Sequence, residues 1–279
     1  MKTIGILYHP LNKAACPLAE EIKEYLSGRR ISAWTCSAWD AEMARGQLNG
    51  TELIITVGGD GTILRAAQVA VSHQIPITGV NLGKLGFMTE LDVAEAREKL
   101  DVLVAGEGWI DERAMLEAML ESPDREDAAI NYALNDVVMA RGEVARMVRV
   151  EARVDGEVLT SYHADGVILS TATGSTGYSL SAGGPILHPG AGEFLMLPIL
   201  PHLSRAYTLV LPASVKVGLY IDAAHTTTLS VDGHINLPVS SGSRLTVRKS
   251  EKKTRFLRIH TGESFYGNLE KRLKGKREW

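Results

Sequence analysis

The chain is poor in cysteine and has no excess of charge of either sign. Two cysteines, Cys16 and Cys36, among 279 residues cannot build a disulfide framework or a cysteine-rich metal site. Its 30 Lys and Arg against 33 Asp and Glu, spread along the chain, leave a net charge of -3 and argue against a nucleic-acid surface. The longest apolar run, Leu195-Met196-Leu197-Pro198-Ile199-Leu200, is interrupted by proline and too short to cross a bilayer, so no membrane association is expected. Nothing at the start resembles a cleavable signal, and a cytoplasmic location is expected. The 8 histidines are scattered, none in an i, i+4 pair with a carboxylate. No His/Cys metal site is therefore predicted, and His188, His202, His225 and His260 read as structural or incidental.

What is present falls into two textures, and the length suits two domains. Up to about residue 115, strand and helix signals alternate. Thr3-Ile4-Gly5-Ile6-Leu7-Tyr8 predicts a strand, and Leu18, Ile22 and Leu26 fall at helical spacing. The scheme repeats through Leu53-Ile54-Ile55-Thr56-Val57, a helix from Ile63, and Ile77-Thr78-Gly79-Val80-Asn81. This order predicts βαβαβ with a parallel sheet, whose ligands gather beyond the C-terminal strand ends, where His9, residues 58–62 and Asn81 fall. From roughly 131 to 260 strand patterns dominate. Val148, Val150, Ala152 and Val154 alternate with polar residues up to Asp155-Gly156, a hairpin signal, and Asp232-Gly233 and Ser241-Gly242 mark further turns. Strands are expected at 207–211, 215–221, 227–231, 244–248 and 256–260. The basic stretch 269–279 is helix-permissive and expected to be solvated or to dock.

Two stretches bear chemistry. Gly58-Gly59-Asp60-Gly61-Thr62 joins a buried-strand pattern directly to a helical one. Adjacent glycines let the backbone turn sharply and approach a ligand, and the helix start aims unpaired N–H groups at an anion. Asp60 would repel phosphate unless it has a separate task, such as holding a Mg²⁺-bound water or accepting a proton from an attacking hydroxyl. The same pentapeptide also suits a plain turn. The second stretch, 171–185, packs glycines among hydroxyl residues just after Val167-Ile168-Leu169. It offers short donors, acceptors and open backbone to a polar ligand, with Tyr178 free to stack on a flat ring, or it is a Ser/Thr/Gly surface loop.

Taken together and in order, these stretches resemble the NAD kinase family. Residues 58–62 are similar to its GGDGT signature, and Asn81-Leu82-Gly83-Lys84-Leu85-Gly86-Phe87 to its N-x-G-x-L-G-F segment. Asn135-Asp136 stands at its Asn-Glu or Asn-Asp pair, 171–185 resembles its T-P-T-G-S-T-A-Y-S-L-S-A-G-G-P run, and Asp232-Gly233-His234 resembles its D-G-Q turn. The matches span roughly 3–260. They imply an α/β N-terminal domain with a parallel, Rossmann-like sheet, 1–120 plus 261–279, and a β-rich C-terminal domain, 121–260, that binds NAD. They imply transfer of the ATP γ-phosphoryl group to the 2′-hydroxyl of the adenosine ribose of NAD, giving NADP, with Mg²⁺ arriving with ATP, usually in a homo-oligomer (dimer or tetramer).

On the family's pattern, Asp60 orients the 2′-OH and takes its proton, while Gly58, Gly59, Gly61 and Thr62 approach the phosphates of the phosphoryl donor. Arg65 and Arg146 align with positions near the pyrophosphate and the subunit boundary. Asn135 addresses an adenine edge and Asp136 a ribose hydroxyl; one methylene shorter than the commoner Glu, Asp136 could act through a water. Tyr178 lies against the NAD base, with Thr173, Thr176, Gly177 and Ser181 around it, and Ala172 and Gly177 replace the usual Pro and Ala. Asp165 faces the nicotinamide end and favours NAD over NADH. His163 stands where cationic contacts are often made, and a neutral His would hold a phosphate with some pH dependence. His234 follows the Asp-Gly turn toward substrate. Lipid kinases share the Gly-Gly-Asp-Gly turn but continue with Asn-Glu, where this chain has Ile63-Leu64-Arg65. A pure dinucleotide-binding module needs no Asp60, and a dehydrogenase needs G-x-G-x-x-G where Tyr8-His9-Pro10-Leu11-Asn12 stands.

Overall fold

The computed structural model describes all residues except 84–85, 125, 143–146, 203–206, 223–224, 261–264 and 275–279, together with the side chains of 268, 271 and 274. The chain divides into two compact units, Met1–Glu112 with Lys253–Trp279, and Arg113–Lys252. The expected bounds at 120 and 260 lie further along the chain. The difference arises because the strands Trp109–Glu121 and Arg244–Arg258 each begin in one unit and end in the other.

In the first unit, β1 (Thr3–Tyr8), α1 (Ala15–Gly28), β2 (Ser32–Ser37), α2 (Ala41–Gly46), β3 (Leu53–Val57), α3 (Asp60–Ala70), β4 (Ile77–Val80) and α4 (Val93–Ala105) follow one another. The sheet order β2-β1-β3-β4 is parallel throughout, and Phe256 of the returning strand pairs with Ile77 of β4. Leu18, Ile22 and Leu26 of α1 are buried in one core with Ile4, Ile6, Ile55, Leu100 and Leu103, as helical spacing requires. β2, α2 and α4 go beyond the sequence reading. For α4 the signal was present: Asp92 and Glu95 form a reciprocal capping box, and Gly106 closes the helix at φ 72°. Because β2 and β3 lie on opposite sides of β1, the strand order reverses between β1 and β3. Ligands of such sheets settle at that point, and here His9 and Gly58 border it.

The second unit holds β5 (Trp109–Glu121), β6 (Ala129–Ala133), β7 (Asp136–Arg141), β8 (Val148–Val154), β9 (Glu157–Ala164), β10 (Gly166–Thr171), the short α5 (Tyr178–Ser181), β11 (Phe194–Ile199), β12 (Leu209–Leu211), β13 (Lys216–Asp222), β14 (Thr227–Val231), β15 (Ile235–Val239) and β16 (Arg244–Arg258). One antiparallel sheet runs β12-β11-β10-β7-β14-β15, and β16, β13, β8 and β9 form another antiparallel run. Val148, Val150, Ala152, Val217, Leu219, Leu245 and Val247 share a core with Val137, Met139, Val167, Leu169, Phe194 and Met196, so the inward faces of both sheets meet.

The hairpin signal is realised between β8 and β9, where Asp155 and Gly156 take φ 50° and 90°, the pair of positive angles that a two-residue turn between twisted strands needs. The strands expected at 244–248 and 256–260 are one continuous β16. Inward positions there are filled by Ser250 and Thr254, which are buried, and their polarity hid the continuity. The basic end forms α6 (Phe265–Lys274), with 275–279 outside the described residues.

Candidate functional site

In the first unit the glycine turn is the hinge between β3 and α3. Gly58 N–H donates to the Val80 carbonyl at 2.9 Å, and Gly59 precedes the helix in extended conformation. A side chain at Gly58 would collide with the Thr62 hydroxyl, whereas Gly59 and Gly61 face open space. Thr62 itself is fully buried, and its Oγ1 has no partner among the described residues. Its hydroxyl thus lies beneath the turn and explains why residue 58 is glycine.

Asp60 opens α3, and its carboxylate is held from the side by a second loop. Oδ2 accepts from the Phe87 N–H at 2.9 Å and Oδ1 from the Met88 N–H at 3.1 Å. Gly86 is required at this point, because a methyl there would land on the Asp60 carboxylate. The same two residues are fixed from behind: Arg272 Nη1 donates to the Phe87 carbonyl at 3.1 Å and Arg258 Nη1 to the Met88 carbonyl at 2.8 Å. Arg258 is buried between Glu90 (3.1 Å) and Asp111 (3.3 Å), so its position is determined by charge as well as packing. The result is a half-buried carboxylate beside a helix N-terminus, with each oxygen still able to accept another bond.

In the second unit, Asn135 and Asp136 enter β7 braced by Asp232. The Asp232 carboxylate accepts three backbone N–H bonds, from Leu134 (3.0 Å), Asn135 (2.7 Å) and Asp136 (3.1 Å). Asp232 stands at φ 50°, a conformation aspartate tolerates better than most residues. The Asn135 carbonyl accepts from Thr171 N–H at 2.9 Å and lies so close to Gly174 that no side chain fits there. The Asn135 side-chain Oδ1 is buried without a partner among the described residues, so its acceptor capacity is unspent there.

The loop that follows β10 is less open than its composition suggests. Thr171 Oγ1 bonds the Leu134 carbonyl (2.6 Å) and the Gly174 N–H (3.0 Å), and Ser175 Oγ bonds the Ala172 carbonyl (2.7 Å) and the Leu187 N–H (3.0 Å). Thr176 donates to the Thr173 carbonyl at 3.3 Å, and Thr173 Oγ1 accepts from Arg113 at 3.5 Å. These hydroxyls shape the loop from inside. Tyr178 and Ser181 remain exposed, and Gly177 adjoins the Asn135 amide. His234 is half-buried, with Nδ1 3.0 Å from the Asp232 carbonyl.

His163 and Asp165 are not brought to this cluster within the chain. In the pairing of β10 with β7, Gly166 opposes Ala140 while Ser170 opposes Asp136, so Asp165 and Thr171 flank opposite ends of β10, roughly 20 Å apart. Asp165 also forms an ion pair with Arg141 at 3.0 Å, and His163 is exposed on β9. The Asp165 carboxylate thus has a cationic partner within its own unit. Arg146, with Lys84 and Leu85, lies outside the described residues. The sequence reading missed the role of Asp232 as a brace and the hold of Phe87 and Met88 on Asp60; the turn motifs were visible, but their partners are far along the chain.

Asp136 is buried beside Asp232, and its pKa is pushed up to about 7, first by burial and then by the Asp232 charge. Asp232, accepting three N–H bonds, is the better placed of the two to hold the negative charge. Because the folded pKa exceeds the unfolded one near 4, the folded state retains a proton that the unfolded chain releases between about pH 4 and 7. The contribution of Asp136 to stability is expected to fall across that window and to level off above it. Urea unfolding of the parent and Asp136→Asn from pH 4 to 8 checks this: the parent should lose a few kcal/mol relative to the variant as pH rises, and parallel curves would contradict it.

The fold and the glycine turn define a two-unit nucleotide phosphotransferase. The ATP-NAD kinase N-terminal domain family matches residues 25–108, and the ATP-NAD kinase C-terminal domain family matches 134–259. The chain is 48% identical over 277 residues to an NAD kinase of Dehalococcoides mccartyi, covering 99% of this chain and 98% of that one. It is 39% identical over 284 residues to an NAD kinase of Heliobacterium modesticaldum, covering 99% and 100%. Among solved structures it is similar to yeast NADH kinase complexed with NADH (TM-score 0.85, 27% identity, 100% of this chain and 89% of that one). It is also similar to an NAD kinase from Archaeoglobus fulgidus in complex with ATP (TM-score 0.79, 25% identity, 98% of each). The chain belongs to the NAD kinase family and is a phosphotransferase.

Proposed function

We propose that the enzyme transfers the γ-phosphoryl group of ATP to the 2′-hydroxyl of the adenosine ribose of NAD, producing NADP. The observation that supports this best is Asp60: a carboxylate fixed by two backbone N–H groups at the mouth of a glycine turn that otherwise favours anions. Transfer through a loose transition state depends on alignment and charge neutralisation more than on nucleophile strength. Asp60 orients the ribose hydroxyl and accepts its proton, and the backbone at Gly59 and Gly61 meets the donor phosphates. Asn135, whose Oδ1 has no partner among the described residues, addresses the adenine, Asp136 a ribose hydroxyl, and exposed Tyr178 a base.

Among the described residues no three His, Cys, Asp or Glu side chains gather as a metal cluster. One carboxylate at a phosphate turn fits Mg²⁺ that travels on ATP and retains water, and Asp60 would hold it through one of those waters. Bound there, the ion would neutralise charge on the transferring phosphoryl group. Assembly as a homo-oligomer in the cytoplasm completes the proposal. No helix among the described residues is long and apolar enough to cross a membrane.

The experiment is direct: purified protein with NAD, ATP and Mg²⁺, with NADP detected by an NADP-specific dehydrogenase. NADP should accumulate in proportion to enzyme and time. No product above a blank lacking enzyme would end this reading.

A further inference from the structure

We propose that Trp39, Arg65 and His9 form a seat for the phosphate chain of the phosphoryl donor, with Trp39 as the positioning residue that holds the Arg65 guanidinium. The inference rests on the kinase reading and adds which side chains take the chain and how they are kept in place. Trp39 lies in the turn between β2 and α2, anchored by the bond from Ala38 N–H to the Tyr8 carbonyl (2.9 Å) and from Trp39 N–H to the Ser37 hydroxyl (3.2 Å). The residue is nevertheless 42% exposed. Arg65 places Cζ 4.1 Å from the Trp39 ring centroid, and the His9 ring meets the same ring edge-on at 4.6 Å.

The direction of Arg65 follows from helix geometry. It stands four residues beyond Gly61 on α3, and helix side chains lean toward the N-terminus, so the guanidinium is carried toward the first turn. Gly59 and Gly61 leave that approach open, since an added methyl at either would meet nothing within 4 Å. Arg65 is partly buried and has no carboxylate partner among the described residues, and burial pushes its pKa down. A guanidinium drawn out of water with no anion beside it is stabilised when a phosphate arrives. His9 follows β1 at the strand-order reversal, and its buried Nδ1 has no partner among the described residues. A protonated Nδ1 donates to a phosphate oxygen. Because Arg65 and His9 already engage the Trp39 ring, the cluster reads a phosphate chain and not a base; a nucleoside triphosphate and inorganic polyphosphate share that chemistry.

Calorimetric titration of the full chain with ATP and with inorganic tripolyphosphate, both with Mg²⁺, tests the seat without requiring turnover. Both should bind the parent. Trp39→Ala should weaken both on the order of tenfold, while Trp39→Phe, which keeps a ring face for the cation, stays within about threefold. Arg65→Gln should lose at least as much as Trp39→Ala and serves as the second variant should the tryptophan change disturb folding, which circular dichroism reports. Unchanged affinity in Trp39→Ala and Arg65→Gln, a loss confined to ATP, or no binding of tripolyphosphate to the parent would overturn the inference. NADP formation by the parent is measured alongside. If NADP is absent but the variants weaken tripolyphosphate binding as expected, the kinase reading fails and the seat stands; if NADP forms and affinities do not move, the reverse holds.

Discussion

Asparagine at position 60 is expected to lower kcat for NADP formation by a factor on the order of 10² or more while NAD still binds. The amide is nearly the same size, but it cannot take a proton, and its NH₂ group cannot accept the backbone bond that one carboxylate oxygen now accepts from Phe87 or Met88. That lost acceptor should also lower stability by about 1–2 kcal/mol. Gly86→Ala approaches the same carboxylate from outside. Its methyl would occupy the space of the Asp60 side chain and force it off the Phe87 and Met88 N–H groups. A loss in the same direction is expected although residue 86 touches no reacting atom. Steady-state kinetics, NAD titration and urea unfolding of both variants separate the effects. Turnover near the parent's in both would remove Asp60 from the reaction.

The second large effect is expected at Asp232, which meets no substrate in the proposed mechanism. Asp232→Ala strands three backbone N–H groups, two of them on buried residues, and puts alanine at φ 50°. With each orphaned group costing about 1–3 kcal/mol, a stability loss on the order of 3 kcal/mol or more follows. NAD affinity should fall at least about tenfold as Asn135 and Asp136 lose their brace. Asp232→Asn tolerates the backbone angle and retains one acceptor oxygen, so it should be milder on both counts. Thermal unfolding and NAD titration of the two variants provide the comparison. If Asp232→Ala melted within about 2 °C of the parent, the three bonds would not be supporting the strand entry.

Much of the architecture was legible because it is locally encoded. Five consecutive residues of strand character, 53–57, followed by two glycines and a helical pattern left one arrangement for the β3 to α3 junction, and Asp155-Gly156 left one arrangement for its hairpin. The continuity of β16 was hidden because its buried positions pass from Leu245 and Val247 to the polar Ser250 and Thr254 before Phe256, so both the apolar pattern and its alternation are interrupted in mid-strand. The hydroxyl-rich loop misled in another way. Composition counts donors and acceptors but does not say which are already paired, and Thr171, Ser175 and Thr176 bond within their own unit.

The order of turns, the two textures of the chain and the chemical types at the glycine turn and at Asn135-Asp136 were all written in the sequence, since propensity, periodicity and turn chemistry act over a few residues. The tertiary structure alone decided that Asp60 is gripped by peptides 27 and 28 residues away, that Asp232 reaches back 96 to 98 residues to hold a strand entry, and that Asp165 lies at the far end of β10 from Tyr178. The reason is register: a hydrogen-bond acceptor finds its donor only after strands have paired and packed, and that pairing depends on the whole core and not on the neighbours of either residue.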